Sequence, residues 1–232
     1  MNIYNGNFSI EYKEDKSPLT HADTKANEII CNSLLKAYPS IPILSEENKI
    51  ETYEIRKNWE YFWLIDPLDG TKEFIKRNGE FTVNIALIHK NEPILGVVYV
   101  PVLNDMYIAK KGSGAFKNGV KLPLDINQNS KKKLTIAASK SHLSKETQAF
   151  IDNLAKEAET VEYIFKGSSL KLVMIAEGSA DIYPRLAPTM EWDTAAADAI
   201  VRESGKMTYQ FENRQPVRYN KENLLNPWFI VK

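Results

Sequence analysis

Five apolar residues in a row, 61–65, stop at the carboxylate of Asp66. A short continuous run that is rich in aromatic and branched side chains is typical of a strand buried on both faces. Pro67 restricts the backbone directly after the run, and Gly70 permits backbone angles that other residues resist. The pattern therefore predicts a buried strand that ends in a tight bend, with polar side chains turned toward one point.

The rest of the first half is predicted to contain a helix followed by further strands. Apolar residues recur at helical spacing over residues 22–37, and Pro39 ends this amphipathic helix. A short strand is expected at residues 41–44. The remaining strands, of which the first two form a hairpin, are predicted at residues 81–88, 93–100 and 106–109.

A polar segment, residues 125–133, leads into a second half with a different pattern. Here strands alternate with helices, which favours an α/β layer arrangement. The predicted strands cover residues 134–138, 161–165 and 181–183, and the predicted helices begin at Lys145, Ser169 and Thr194. We therefore expect an α+β subdomain over residues 1–128 and an α/β subdomain over residues 129–232.

The composition is that of an ordinary soluble globular protein, with 232 residues, 43% of them apolar, and a formal net charge of zero. Without a basic face, binding to a nucleic-acid polymer is disfavoured. Cys31 is the sole cysteine, so no intrachain disulfide is expected and the cytoplasm is the expected location. No signal peptide or membrane attachment is indicated. A monomer and a homodimer are both left open.

Asp66, Asp69 and Thr71 place two carboxylates and a hydroxyl within six residues. Carboxylates held close together repel each other unless a proton or a cation lies between them, and oxygen ligands suit a hard divalent cation. This pattern favours a magnesium site. The same residues are also compatible with an ordinary turn in which Asp66 caps a short helix at residues 71–75.

The string Asp66-Pro67-Leu68-Asp69-Gly70-Thr71 resembles the signature of the magnesium-dependent, lithium-sensitive phosphatases of the inositol monophosphatase superfamily. The other two markers of that superfamily are matched by Ser45-Glu46-Glu47 and by Glu191-Trp192-Asp193-Thr194-Ala195-Ala196. Within the superfamily, the chain is similar to the adenosine 3',5'-bisphosphate nucleotidases. That similarity rests on residues 72–84, 167–171, 183–185 and 225–227 and covers nearly the whole chain.

The resemblance implies a layered α-β-α-β-α sandwich that binds two to three Mg²⁺ ions. The first subdomain would carry most metal ligands, and the second would carry Asp193 and the nucleotide contacts. Members usually begin with a long helix, and this chain starts within or after it. We therefore expect apolar surface in the first layer to be exposed or covered by a partner.

The resemblance also implies roles for individual residues. One ion would take Glu46, Asp66 and the Leu68 carbonyl, a second would take Asp66, Asp69 and Asp193, and a third would lie near Glu46. Water would be activated by Thr71 with Glu46 or Asp23. Substrate contacts are implied for Asp69, Gly70, Thr71, His142, Gly167, Ser168, Lys171 and Asp193.

Some of these residues have ordinary structural explanations as well. Asp23 and Thr20 have a spacing close to that of a helix capping box. The segment from Gly167 to Ser169 is compatible with a simple serine cap, whereas Lys171 in the first turn of the following helix is unfavourable for the helix dipole and favourable for a phosphate. Arg185 is left open between a phosphate and an internal carboxylate.

The activity that the resemblance implies is hydrolysis of the 3'-phosphate of adenosine 3',5'-bisphosphate to AMP and phosphate, in support of sulfate assimilation. A sulfated analogue is a second expected substrate. One alternative is an inositol monophosphatase or another sugar phosphatase, against which residues 72–74 and 167–171 argue. A second alternative is a non-catalytic relative that binds magnesium or nucleotide, although such a relative would normally have lost a metal ligand.

Overall fold

The structure is a computed structural model that describes residues 1–6, 8–12, 18–124, 133–139, 144–156 and 158–232. Its helices are α1 Asn2–Asn5, α2 His21–Ala37, α3 Tyr53–Arg56, α4 Thr71–Ile75, α5 Lys145–Ala155, α6 Leu170–Glu177 and α7 Glu191–Glu203. Its strands are β1 Ile10–Tyr12, β2 Pro18–Thr20, β3 Ile43–Ser45, β4 Tyr61–Asp69, β5 Thr82–His89, β6 Glu92–Val100, β7 Asp105–Lys110, β8 Gly114–Lys117, β9 Val120–Lys121, β10 Lys133–Ala138, β11 Thr160–Phe165, β12 Tyr183–Arg185, β13 Thr208–Gln210 and β14 Phe229–Val231.

The larger sheet has seven strands in the order β3-β4-β5-β6-β7-β8-β9. The pair β3 and β4 is parallel, with Leu44 opposite Leu64, and the remaining pairs are antiparallel. The predicted hairpin is confirmed as β5 and β6. Because β3 and β4 run in parallel, the residues that follow both strands emerge at the same edge of the sheet.

The central strand β4 is longer than the sequence predicted. Of the run predicted to be buried, residues 62–65 are buried and Tyr61 is exposed. Pairing with β5 continues beyond the run, with Asp66 opposite Asn84 and Asp69 opposite Thr82. The register shifts between these two pairs. Pro67 lies inside this irregularity, where its missing N–H costs no ladder bond. The prediction that the strand ends at the first carboxylate was therefore wrong by four residues.

Helix α7 packs against one face of this sheet and forms the main core with it. The contact is close at Gly96 of β6, because a Cβ atom there would lie 2.1 Å from the carbonyl oxygen of Ala196. The core includes Phe62, Ile88 and Ile200, all fully buried. The alanine-rich start of α7 therefore lies directly on the strands, and this contact brings its N-terminus to the edge of the sheet.

The second half has the predicted alternation of strands and helices. Strands β10 and β11 are parallel, and β12, β14 and β13 form an antiparallel sheet. A bridge between Ile136 and Ile182 joins the two groups. The predicted strand at 181–183 is displaced to Tyr183–Arg185, and the helix expected from Thr194 begins at Glu191. The boundary proposed between residues 128 and 129 lies outside the described residues.

Some apolar side chains lie at the surface of the first layer. Ile29 and Leu35 of α2 are 57% and 47% exposed. Within the described ranges, no helix is both long enough and apolar enough to cross a membrane.

Candidate metal centre and adjoining cleft

Three carboxylates from distant parts of the chain meet at the edge of the seven-stranded sheet. One oxygen atom each from Glu46, Asp66 and Asp193 lies within 4.8 Å of the other two. Glu46 follows β3, where its N–H donates to the carbonyl of Ile65 (3.1 Å), and Asp66 lies in the neighbouring strand. Asp193 arrives from the first turn of α7. The parallel strand pair and the packing of α7 thus create the acidic cluster.

A backbone N–H group holds one oxygen of each aspartate in and beside this cluster. Leu68 N–H donates to Asp66 Oδ1 (3.0 Å), and Met190 N–H donates to Asp193 Oδ2 (2.8 Å). Ser169 N–H donates to Asp69 Oδ2 (2.6 Å), which the amide of Asn84 also approaches at 3.4 Å. These bonds fix the orientation of the carboxylates. Asp193 caps its helix from the third position, so α7 begins before Thr194.

The electrostatics of the cluster favour either protons or a cation. Burial raises the pKa of Asp66 well above its ordinary value, and the neighbouring charges of Glu46, Asp69 and Asp193 raise it further. The pKa of Asp193 is raised well above its ordinary value for the same reasons. Burial raises the pKa of Asp69 to about 6, although the charge of Lys171 opposes that shift. Such a set of hard oxygen donors fits a divalent cation such as Mg²⁺.

Thr71 and Asp23 meet beside the cluster. The Thr71 hydroxyl donates to Asp23 Oδ1 (3.1 Å) and also lies 3.4 Å from the carbonyl of Leu68. The other oxygen of Asp23 accepts bonds from the N–H (2.8 Å) and the hydroxyl (2.6 Å) of Thr20. Asp23 therefore caps α2 and contacts Thr71 at the same time. Gly70 precedes Thr71 with φ +95°, in the region that favours glycine.

A cleft of about 300 Å³ adjoins the acidic cluster. Lys171 and Arg185, both buried, contribute to its lining. Burial lowers the pKa of Lys171 to about 8. Arg185 donates to the carbonyl of Pro188 (2.9 Å), and its buried Nε has no hydrogen-bond partner among the described residues. Carboxylates and cations thus line the same cleft.

The loop at Gly167 and Ser168 forms another part of the cleft. A Cβ at Gly167 would lie 2.8 Å from the carbonyl oxygen of Glu80, so the close approach requires glycine. The Gly167 N–H donates to Glu80 Oε2 (2.9 Å). Ser168 has φ +46°, and its buried hydroxyl has no hydrogen-bond partner among the described residues. The loop is therefore held in an unusual conformation with a polar group available.

Most of the residues singled out from the sequence come together in this region. The cleft is lined by Glu46, Asp69, Gly70, Thr71, Gly167, Ser168, Lys171 and Asp193. Asp66 belongs to the acidic cluster, and Asp23 and the Leu68 carbonyl lie within reach of the Thr71 hydroxyl. His142 lies outside the described residues. The roles of all these residues remain predictions.

Sequence reasoning missed two contributors to the site, Asn84 and Ser169. Asn84 is a buried amide inside an apolar strand, and that break in the pattern was a usable signal. Ser169 contacts Asp69 across 100 residues of sequence, for which no local signal exists. The question left open for Arg185 has a partial answer, because its observed partner is the backbone carbonyl of Pro188.

A layered α/β fold that gathers carboxylates and cations around one cleft is typical of metal-dependent phosphatases. The chain belongs to the inositol monophosphatase family, whose sequence profile matches residues 1–227.

Three relatives within this family are similar to the chain over its full length. The chain is 43% identical to the 3'(2'),5'-bisphosphate nucleotidase CysQ of Salmonella typhimurium, over 100% of this chain and 92% of that relative. It is 42% identical to the protein of the same name from Escherichia coli K12, with the same coverage. The crystal structure of CysQ from Bacteroides thetaiotaomicron matches with a TM-score of 0.89 and 46% identity, over 100% of this chain and 90% of that one. The predicted family and fold class are confirmed.

The raised pKa of Asp69 predicts how stability depends on pH in chelator-treated protein. The folded state binds a proton at Asp69 more tightly than the unfolded chain, so this contribution is full below pH 3.8 and is lost as pH rises through about 6. Relative to Asp69→Asn, the wild type should lose about 1 to 3 kcal/mol of unfolding free energy between pH 4 and pH 7. Urea titrations at four pH values measure this difference.

Asp152→Asn, on the exposed side of α5, is the matched control for loss of a surface carboxylate. Its stability difference from the wild type should change little over the same pH range. A difference between the wild type and Asp69→Asn that also stays constant would contradict the electrostatic account of the cluster.

Proposed function

We propose that this protein is a magnesium-dependent phosphatase that removes the 3'-phosphate of adenosine 3',5'-bisphosphate to give AMP and inorganic phosphate. A sulfated analogue is a second substrate, and the activity supports sulfate assimilation in the cytoplasm. One observation carries the proposal: the acidic cluster and two buried cations share a cleft in a chain that is similar over its full length to bisphosphate nucleotidases.

Members of the inositol monophosphatase family depend on metal ions, generally Mg²⁺. In this protein, Glu46, Asp66 and the Leu68 carbonyl would hold one ion, and Asp66, Asp69 and Asp193 a second. A third would lie near Glu46. The short distances within the acidic cluster support this assignment. Bound ions would supply nucleophile activation and neutralise charge on the phosphate.

Thr71 is the residue that we assign to orientation of the attacking water. Its hydroxyl is held by Asp23 at 3.1 Å, which leaves its oxygen free to accept a bond from water. Glu46 or Asp23 accepts the proton that the water loses. The water oxygen then forms a bond to phosphorus while the bond to the ribose 3'-oxygen breaks, and that oxygen takes up a proton. The Asp23–Thr71 contact supports this arrangement.

We assign the substrate contacts to two groups of residues, one around the phosphate that is cleaved and one around the rest of the nucleotide. The N–H groups of Gly70 and Thr71, together with Asp69 and Asp193, surround the phosphate that is cleaved. Gly167, Ser168 and Lys171 contact the nucleotide, and the unpartnered hydroxyl of Ser168 supports that role. His142 is a further predicted nucleotide contact.

The second phosphate is what separates the proposed substrate from a monophosphate. Lys171 and Arg185 both line the cleft, and a phosphate carries enough charge to occupy two cations. The free Nε of Arg185 supports pairing with that group. An inositol monophosphate has no second phosphate to pair with these cations, whose observed partners are backbone carbonyls. A purely binding role is disfavoured because every carboxylate that the family motifs require is present.

Phosphate release from three substrates tests the proposal. Adenosine 3',5'-bisphosphate, inositol 1-phosphate and fructose 1,6-bisphosphate are compared at equal low concentrations with Mg²⁺, each with and without chelator. We expect release from the nucleotide to be at least tenfold faster than from the others and to be abolished by chelator, because it alone presents both a 3'-phosphate and a base. Faster release from a sugar or inositol phosphate would contradict the substrate assignment, and release that persists in chelator would contradict the metal assignment.

Asp23 provides a test that separates catalysis from helix capping. Asp23→Asn removes the carboxylate that accepts the Thr71 hydroxyl bond and that is one of the two assigned proton acceptors, and we expect kcat to fall about 10²-fold or more. Thr20→Val removes the capping hydroxyl but leaves the bond between Asp23 and Thr71 intact, so it should lower Tm and leave kcat within about threefold. Steady-state kinetics and thermal unfolding of both variants measure these effects. Equal loss of kcat in the two variants would show that Asp23 serves only as a cap.

A further inference from the structure

Helix α2 carries polar side chains on the face that lies against β4. Asp23, Asn27 and Cys31 are spaced four residues apart and therefore share one face of the helix. Cys31 packs with Trp63 and Ile65 of β4, which identifies this face as the one turned to the sheet. A helix normally presents apolar residues there. Polar groups in such a position are costly unless they are hydrogen-bonded, so their bonds indicate what the helix does.

Asn27 holds both ends of the turn that carries Glu46. Its Oδ1 accepts a bond from the hydroxyl of Ser45 (2.7 Å), and its Nδ2 donates to Oδ1 of Asn48 (2.8 Å). The turn itself is closed by the N–H of Asn48, which donates to the carbonyl of Ser45 (3.2 Å). Glu46 and Glu47 are the two residues between these ends. One amide side chain thus spans the whole turn.

The same helix also holds the loop that follows β4. Asp23, one helical turn before Asn27, accepts the hydroxyl of Thr71. Ser45 is fully buried, so its hydroxyl has no water to bond with and relies on Asn27. Helix α2 is therefore attached to two of the three segments that supply the acidic cluster, at Thr71 through Asp23 and at Ser45 through Asn27.

We propose that Asn27 is a positioning residue that sets the place of Glu46 in the metal centre. It fixes the Glu46 turn to α2 while Asp23 fixes the Thr71 loop to the same helix. Helix α2 therefore adds a second constraint on the separation of Glu46 from Asp66, beside the pairing of β3 with β4. This inference rests on the proposed function, because it concerns the metal centre assigned there. Groups that orient metal ligands typically change metal affinity 10- to 100-fold when they are removed.

Two variants separate positioning from a purely structural role. Asn27→Leu has a similar size but leaves the buried Ser45 hydroxyl without a partner, so both Mg²⁺ affinity and the urea midpoint should fall. The double variant Asn27→Leu/Ser45→Ala removes the Ser45 hydroxyl as well, so that among buried groups only the weak donor Cys31 Sγ loses its bond to Asn27 and stability is largely restored. Asn48 is exposed and can bond to water instead. Ser33→Ala, on the exposed outer side of α2, is the matched control.

The experiment is calorimetric titration of chelator-treated protein with Mg²⁺ alone, together with urea unfolding. We expect Asn27→Leu to raise the Kd for Mg²⁺ about tenfold or more. The double variant should regain most of the urea midpoint and keep the raised Kd. Ser33→Ala should change neither. A wild-type Kd in folded Asn27→Leu would overturn the inference, as would a Kd that recovers together with the urea midpoint in the double variant.

Hydrogen exchange in the metal-free protein gives a second measurement. The Glu46 N–H bonds to the carbonyl of Ile65, and the Trp63 N–H bonds to the carbonyl of Pro42. In Asn27→Leu and in the double variant, exchange at Glu46 should accelerate at least tenfold while exchange at Trp63 stays unchanged. Equal acceleration at both sites would indicate general loosening and contradict the positioning role. If the wild type binds no Mg²⁺, the proposed function itself fails. If the wild type binds Mg²⁺ and the Asn27 variants bind it equally well, only this inference fails.

Discussion

The mutual repulsion of buried and half-buried carboxylates at the edge of the seven-stranded sheet is the constraint on which this structure depends. Burial and the charges of neighbouring carboxylates raise the pKa of Asp66 and of Asp193, and Glu46 completes the cluster. No folding advantage comes from such a group of like charges, since burial without compensation is costly. A fold that nevertheless holds oxygen atoms of these carboxylates within 4.8 Å of one another implies a positively charged partner that compensates their negative charge. A divalent cation is the compensation that hard oxygen donors suit best.

Several elements that are distant in sequence hold these carboxylates in place. Each aspartate has one oxygen fixed by a backbone N–H: that of Leu68 for Asp66, of Ser169 for Asp69 and of Met190 for Asp193. The first donor lies in β4, the second directly precedes α6, and the third directly precedes α7. Helix α7 can bring Asp193 to the cluster because small residues let the helix lie closely on β6. The cluster thus depends on long-range packing of the whole fold, and Lys171 adds a buried positive charge beside it.

Local patterns predicted the elements whose causes are local. The apolar run at residues 62–65, the β5–β6 hairpin and helix α2 follow from periodicity and turn residues. The family motifs were recognisable because they are contiguous strings. What escaped prediction depends on partners far away in sequence: the continuation of β4 through Asp69 requires β5, and the Ser169 contact with Asp69 crosses 100 residues. The bonds of Asn27 to Ser45 and Asn48 are of the same kind, since nothing near Asn27 in the sequence indicates them.

Proton release on Mg²⁺ binding is the most direct test of the central claim that the acidic cluster is a metal site. Carboxylates must lose their protons before they coordinate a metal, and the pKa of Asp69 is about 6 in the absence of one. Calorimetric titrations with Mg²⁺ at pH 6, 7 and 8, each in buffers of different ionisation enthalpy, measure the number of protons released. The account predicts net proton release at pH 6 that decreases toward pH 8. Mg²⁺ binding without proton release at pH 6, or no binding at any of these pH values, would contradict it.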